Sequence, residues 1–127
     1  MTGQFAVPPV AETGFSATAK ASGPSVRLTL EGTADVRAVE PLAKLMPILH
    51  DEVVRVGGRE VVVDFLGVEF MNSSCFKSFV TWISMLQALG PEKQYKVKLL
   101  SNPDVHWQRR SLRALSCFAA DLVSVES

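Results

Sequence analysis

The chain has 127 residues, 47% of them hydrophobic, enough for one compact domain with its own core. Thirteen basic and thirteen acidic side chains cancel, so no net field draws the protein to nucleic acid or to a membrane surface. No apolar run approaches the ~20 residues that span a bilayer, the N-terminus lacks the basic-then-apolar order of a secretion signal, and cytoplasmic residence is the expectation.

Residues 1–13, with Pro8-Pro9, read as a flexible or extended arm, and 14–127 as the domain. Residues 14–21 alternate Phe15, Ala17 and Ala19 with polar side chains and suggest a strand. Ser22-Gly23-Pro24 is a turn signal, and Val26, Leu28 and Leu30 alternate as a half-buried strand that pairs back in a hairpin. Thr33 or Asp35 caps a first helix over about 36–56, whose inner positions are Val39, Leu42, Leu45, Met46, Leu49, Val53 and Val56. Pro41 suits the start of that helix, Pro47 is expected to kink it, and Gly57-Gly58 ends it.

Glu60 to Leu66 is a β-branched run that suits a buried strand. After it the period changes: Phe76, Phe79, Val80, Ile83 and Leu86 share one helical face, behind a polar Asn72-Ser73-Ser74 step of the kind that caps helices. Gly90-Pro91 stops this second helix, and Tyr95 to Leu100 is the next strand. Ser101-Asn102-Pro103-Asp104 opens a third helix with Val105, Leu112, Leu115 and Ala119 inside, and Leu122 to Val125 is a final edge strand. Strands alternating with helices give an α/β fold: a mixed sheet of four to five strands with an N-terminal antiparallel hairpin, and three helices packed on it.

Candidate chemistry is sparse. There is no Ser-His-Asp order, Gly-rich phosphate loop or zinc-protease motif. Cys75 and Cys117 match no metal spacing and are not expected to pair, so neither metal nor cofactor is expected. His50 and Cys117 are lone residues, in the core or on the surface. Trp82, Met85 and Leu89 flank the inner stripe of the second helix, as a wide core face or as an apolar docking patch. His106, Arg109, Arg110 and Arg113 cluster on one side of the third helix, as a solvated face or a patch for an acidic partner. The serines stand where backbone N–H groups and the helix dipole favour an anion. Plain capping is the simplest role for them.

The run from Val61 to Met71, followed by Asn72-Ser73-Ser74-Cys75, resembles the STAS domain, and more narrowly the bacterial anti-sigma-factor antagonists and related regulatory phosphoproteins. Glu31-Gly32-Thr33-Ala34-Asp35 is similar to the step that leads into that family's first helix. The resemblance spans roughly residues 25–126. In the family an Asp-Ser-Ser-Gly motif opens a helix, and a partner kinase phosphorylates its second serine. The matching residue here is Ser74, with Asn72 in place of Asp and Cys75 in place of Gly. A branch with an Asn-Thr-Ser-Ser motif carries the phosphate directly after Asn, which points to Ser73 as second choice. The resemblance implies a non-enzymatic STAS-like module. Its partners are a serine/threonine kinase or anti-sigma-type protein and a resetting phosphatase, met through Asp35, Asn72, Ser73, Ser74, Cys75, Ser78, Trp82 and Met85. The alternative is a constitutive scaffold or subunit of a signalling assembly with no phospho-switch. No nucleic-acid or membrane partner is expected, and the oligomeric state stays open.

Overall fold

Apolar residues recur at every second position along most of the strands, so the sheet has one dry face and one wet face. In the computed structural model, which describes residues 5–127, six strands pair in sequence order. They are β1 (Val10–Glu12), β2 (Phe15–Ser22), β3 (Ser25–Ala34), β4 (Glu60–Met71), β5 (Lys96–Leu100) and β6 (Val123–Glu126). The first three are antiparallel and the rest parallel. The helices are α1 (Val39–Arg55), entered through a 3-10 turn at Val36–Ala38, then α2 (Ser73–Gln87) and α3 (His106–Cys117). Each helix links two adjacent parallel strands, and every link steps the same way across the sheet. Right-handed crossovers of this kind put all three helices on one face.

That face holds the core. Val26, Leu28 and Leu30 of β3, Val61, Val63 and Phe65 of β4, and Val97 and Leu99 of β5 are sealed beneath the helices. The opposite face carries Arg27, Glu60, Asp64, Lys98 and Glu126. Arg27 meets Asp64 at 2.7 Å, and Lys98 reaches Glu126 at 3.5 Å and Glu60 at 3.8 Å. Asp64 therefore lies within a strand that runs on to Met71.

The mixed sheet, hairpin and three helices match the sequence reading, with six strands in place of four to five. The extra strand is β1, drawn from the expected arm, of which residues 1–4 lie outside the described residues. Phe5, Val7 and Val10 pack against the core. Gly32, at φ +100, lets the hairpin close: a Cβ there would stand 2.0 Å from the Gly14 carbonyl oxygen. α1 is unbroken through Pro47. α3 begins later than expected, at His106 rather than near Pro103. Asn102 caps only a turn, accepting from the Asp104 N–H at 2.9 Å, because its own N–H is held by Gln108 Oε1 at 2.8 Å.

The N-terminal segment is fastened to α1 by one carboxylate. Glu52 Oε2 accepts the Ala6 N–H at 2.7 Å, and both its oxygens are bonded by Arg55. Arg55 first, and then the Ala6 N–H, pull Glu52 from an ordinary 4.5 down to about 2. A carboxylate held low in the folded state contributes stability that is complete above its unfolded value and is lost as pH falls toward its folded value. Amide-exchange protection at Ala6 should therefore decline between 4.5 and about 2. Glu52→Ala should leave Ala6 unprotected at every pH. Equal protection in the variant and wild type would remove Glu52 from this role.

Candidate functional site

The carboxyl ends of the parallel strands and the N-termini of the helices lie at one end of the domain. Here β4 passes into α2 through Asn72. Its backbone is extended, its N–H donates to the Ala34 carbonyl at 2.7 Å, and its side-chain oxygen caps the helix by accepting the Ser74 N–H at 2.7 Å. One residue thus ties the β3 terminus, the β4 terminus and the helix start together. Ser73 and Ser74 fill the first two helical positions, and both are exposed. No acidic residue stands in this first turn. Exposed Lys77 follows Ser73 by four residues and Ser74 by three, within reach along a helix surface.

Asp35 lies beside this start. Its carboxylate caps the 3-10 turn, accepting the Arg37 N–H at 2.9 Å, and is paired with the Arg37 guanidinium at 2.8 Å. That side-chain bond holds the Asp35 carboxyl below its ordinary range. The Cys75 thiol donates to the Asp35 carbonyl at 3.3 Å, and burial raises its pKa. Among the described residues no group of three or more His, Cys, Asp or Glu side chains is placed to hold a metal ion.

The expected contact residues divide into two sets. Asp35, Asn72, Ser73, Ser74, Ser78 and Met85 are at least partly open to solvent. Ser74, Ser78 and Met85 line one groove of about 370 Å3 between α1 and α2, with Val39, Ala43, Met46, Pro47 and Lys77. Cys75 and Trp82 are both fully buried; Trp82 lies under the same groove and lines its floor, whereas Cys75 does not line it. The inner stripe of α2 is Cys75, Phe79, Trp82, Ile83 and Leu86, rotated from the expected one, so Phe76 and Val80 lie at its margin. The Trp82 indole donates inward to the Tyr95 hydroxyl at 2.8 Å, which makes Trp82 part of the core face, while Met85 and Ser78 present the open wall of the groove above it.

Three surface residues escaped sequence reasoning. Val36, Leu66 and Phe70 are 73%, 45% and 50% exposed, and all belong to segments at this same end of the sheet. Phe70 is near the end of β4, and Val36 follows Asp35. No local pattern marks them, since Val68, Glu69 and Phe70 alternate as an ordinary strand does.

A single domain with this arrangement is a STAS-like fold: a mixed sheet with an antiparallel N-terminal edge, one helical layer, and a hydroxyl-bearing helix start at the carboxyl end of a central strand. Two solved structures share it. One is an anti-sigma factor antagonist from Mycobacterium paratuberculosis, at 18% identity and TM-score 0.58, covering 85% of each chain. The other is the anti-sigma factor antagonist SpoIIAA in its unphosphorylated form, at 19% identity and TM-score 0.54, covering 87% of this chain and 88% of that one. No family model matches the sequence, and no curated protein does. Among the described residues no helix is long and apolar enough to cross a membrane.

Proposed function

We propose that this protein is a non-enzymatic regulatory binding module that docks a serine/threonine kinase or anti-sigma-type partner through the start of α2. Phosphorylation of Ser74, or secondarily Ser73, releases that partner, and a phosphatase resets the module in the cytoplasm. The observation that carries the reading is the placement of two exposed hydroxyls at a helix N-terminus, one of which, Ser74, lines the α1–α2 groove, with exposed Val36, Leu66 and Phe70 in segments at the same end of the sheet. Aromatic and apolar residues of this kind form interface centres. A phosphate adds about −1.5 to −2 charges. The fold accommodates that charge at the positive end of the α2 dipole, with Lys77 one turn on. A partner seated on the apolar rim does not.

The test separates fold from binding. Ser74→Asp should leave the fold intact or raise its stability by about 0.3–1 kcal/mol, since an acid at a helix N-terminus is favourable. The same change should weaken a partner captured by the wild-type protein by roughly tenfold or more, about 1.4 kcal/mol. Ser73→Asp should act less strongly. Full-strength binding by both Asp variants would end the switch.

One observation favours a second reading, a constitutive scaffold without the switch. The Asn72 side chain is committed to capping and the Asp35 carboxylate to Arg37, so neither hydroxyl has a carboxylate bonded to it. Intact mass of the protein from its native cell decides: a gain of one phosphate supports the switch, and an unmodified chain bound to its partner throughout supports the scaffold.

A further inference from the structure

The outer side of α3 gathers three of the chain's seven arginines. Arg27, Arg37 and Arg55 are each paired with a carboxylate. Arg109, Arg110 and Arg113 are exposed, and among the described residues their guanidinium groups take part in no ion pair or hydrogen bond. At 100° per residue the three fall within an arc of about 100° on one helix face. α3 carries no acidic residue. Arg109 and Arg113 are like charges four residues apart, an arrangement that destabilises a helix. A placement that local physics opposes and no internal contact offsets points outward, to a partner.

Two further features say what that partner is. Arg109 and Arg113, one helical turn apart, line a polar crevice of about 320 Å3 with Ser101, Ser116 and Val125. The far wall belongs to β6, the last strand of the sheet, which pairs only with β5. Its outer edge presents main-chain donors and acceptors to a further strand. We propose that this edge is a second docking surface, independent of the hydroxyl switch, for an extended acidic segment of a partner protein. The segment adds to β6 by main-chain hydrogen bonds, and its carboxylates are held by the guanidinium forks of Arg109 and Arg113. Three arginines on a neutral chain are a small footprint for nucleic acid, and an open strand edge suits a polypeptide.

The probe is a short peptide alternating Glu and Val, titrated into the full chain at low salt and followed by amide and arginine side-chain NMR. Shifts should concentrate on β6 amides and on Arg109 and Arg113, and binding should weaken as salt rises. Arg109→Gln combined with Arg113→Gln should weaken binding roughly tenfold or more without lowering Tm, whereas Arg110→Gln, which does not line the crevice, should change it less. Ser74→Asp should leave it unchanged. No binding, tighter binding of a single-stranded oligonucleotide, displacement by inorganic phosphate alone, or a double variant that loses Tm would each overturn the proposal.

Discussion

Replacing Gln108 with Met should destabilise the domain by about 3–5 kcal/mol, because two buried carbonyls and one partly buried N–H each lose a partner at about 1–3 kcal/mol apiece. Gln108 is fully buried. Its amide nitrogen donates to the carbonyls of Phe65 at 2.7 Å and Val68 at 2.8 Å, and its oxygen accepts the Asn102 N–H at 2.8 Å. The need arises from strand lengths. β5 pairs with β4 only from Glu60 to Asp64, while β4 continues to Met71, so its outer edge loses its neighbour halfway. Side chains from the segment after β5 take over. Asn102 Nδ2 donates to the Leu66 carbonyl at 3.0 Å, and Trp107 Nε1 to the Glu69 carbonyl at 2.9 Å. Met keeps the length and volume of Gln, so the loss reads the hydrogen bonds and not a cavity. The denaturant midpoint should fall with little change in slope. A loss under 1 kcal/mol would mean that water replaces the carboxamide without penalty.

This clasp links fold to function. The stretch it fixes runs directly into Asn72 and the two serines, so α3 sets where the α2 start stands. Amide exchange in the Gln108 variant should accelerate first along Leu66–Met71, ahead of β3. That pattern is expected only if the extension of β4 is held mainly from the α3 side.

Much of the framework was legible in the sequence, for a physical reason: strand alternation, glycine turns and cap residues are local signals. Asn72 is an N-cap by side-chain chemistry alone, and Val26, Leu28 and Leu30 read as a one-sided strand. What stayed hidden depends on partners far along the chain. β1 pairs with β2, and the segment before it is anchored by Glu52, 46 residues away from Ala6. Local pattern makes Gln108 one more polar residue on an amphipathic helix, and its burial requires knowing that β4 outruns β5. Trp82 was read as flanking the stripe because hydrophobicity alone put the centre of α2 between Phe79 and Val80. A cysteine at 75 and a hydroxyl waiting at Tyr95 moved the stripe round. At the site, exposed Ser73 and Ser74 followed from capping, whereas exposed Val36 and Phe70 are apolar and no local pattern marks them as outward.

Tyr95→Phe should cost about 2–4 kcal/mol, although it deletes a single oxygen, since two buried groups are left without a partner. The Tyr95 hydroxyl sits between Trp82 Nε1 at 2.8 Å and His50 Nδ1 at 2.7 Å, joining α2, α1 and the segment entering β5. An indole N–H only donates, so the hydroxyl accepts from Trp82. With His50 neutral and its proton on Nε2, the hydroxyl gives its own proton to His50 Nδ1, the arrangement in which that proton also has a partner. Burial lowers the His50 pKa, and burial likewise pushes that of Tyr95 up. The sign follows from linkage: the unfolded chain takes up a proton near the ordinary value of 6.5 while the folded one resists, so stability falls as pH drops below 6.5. Protonated Nδ1 would face the hydroxyl as a second donor, and the phenol proton would lose its acceptor. Wild type should thus lose stability on mild acidification, and His50→Phe should flatten that slope while lowering stability at neutral pH. If Tyr95→Phe unfolds at the wild-type denaturant concentration, the three-residue chain contributes nothing, and packing of the Trp82 and Tyr95 rings, 6.3 Å apart, holds this part of the core by itself.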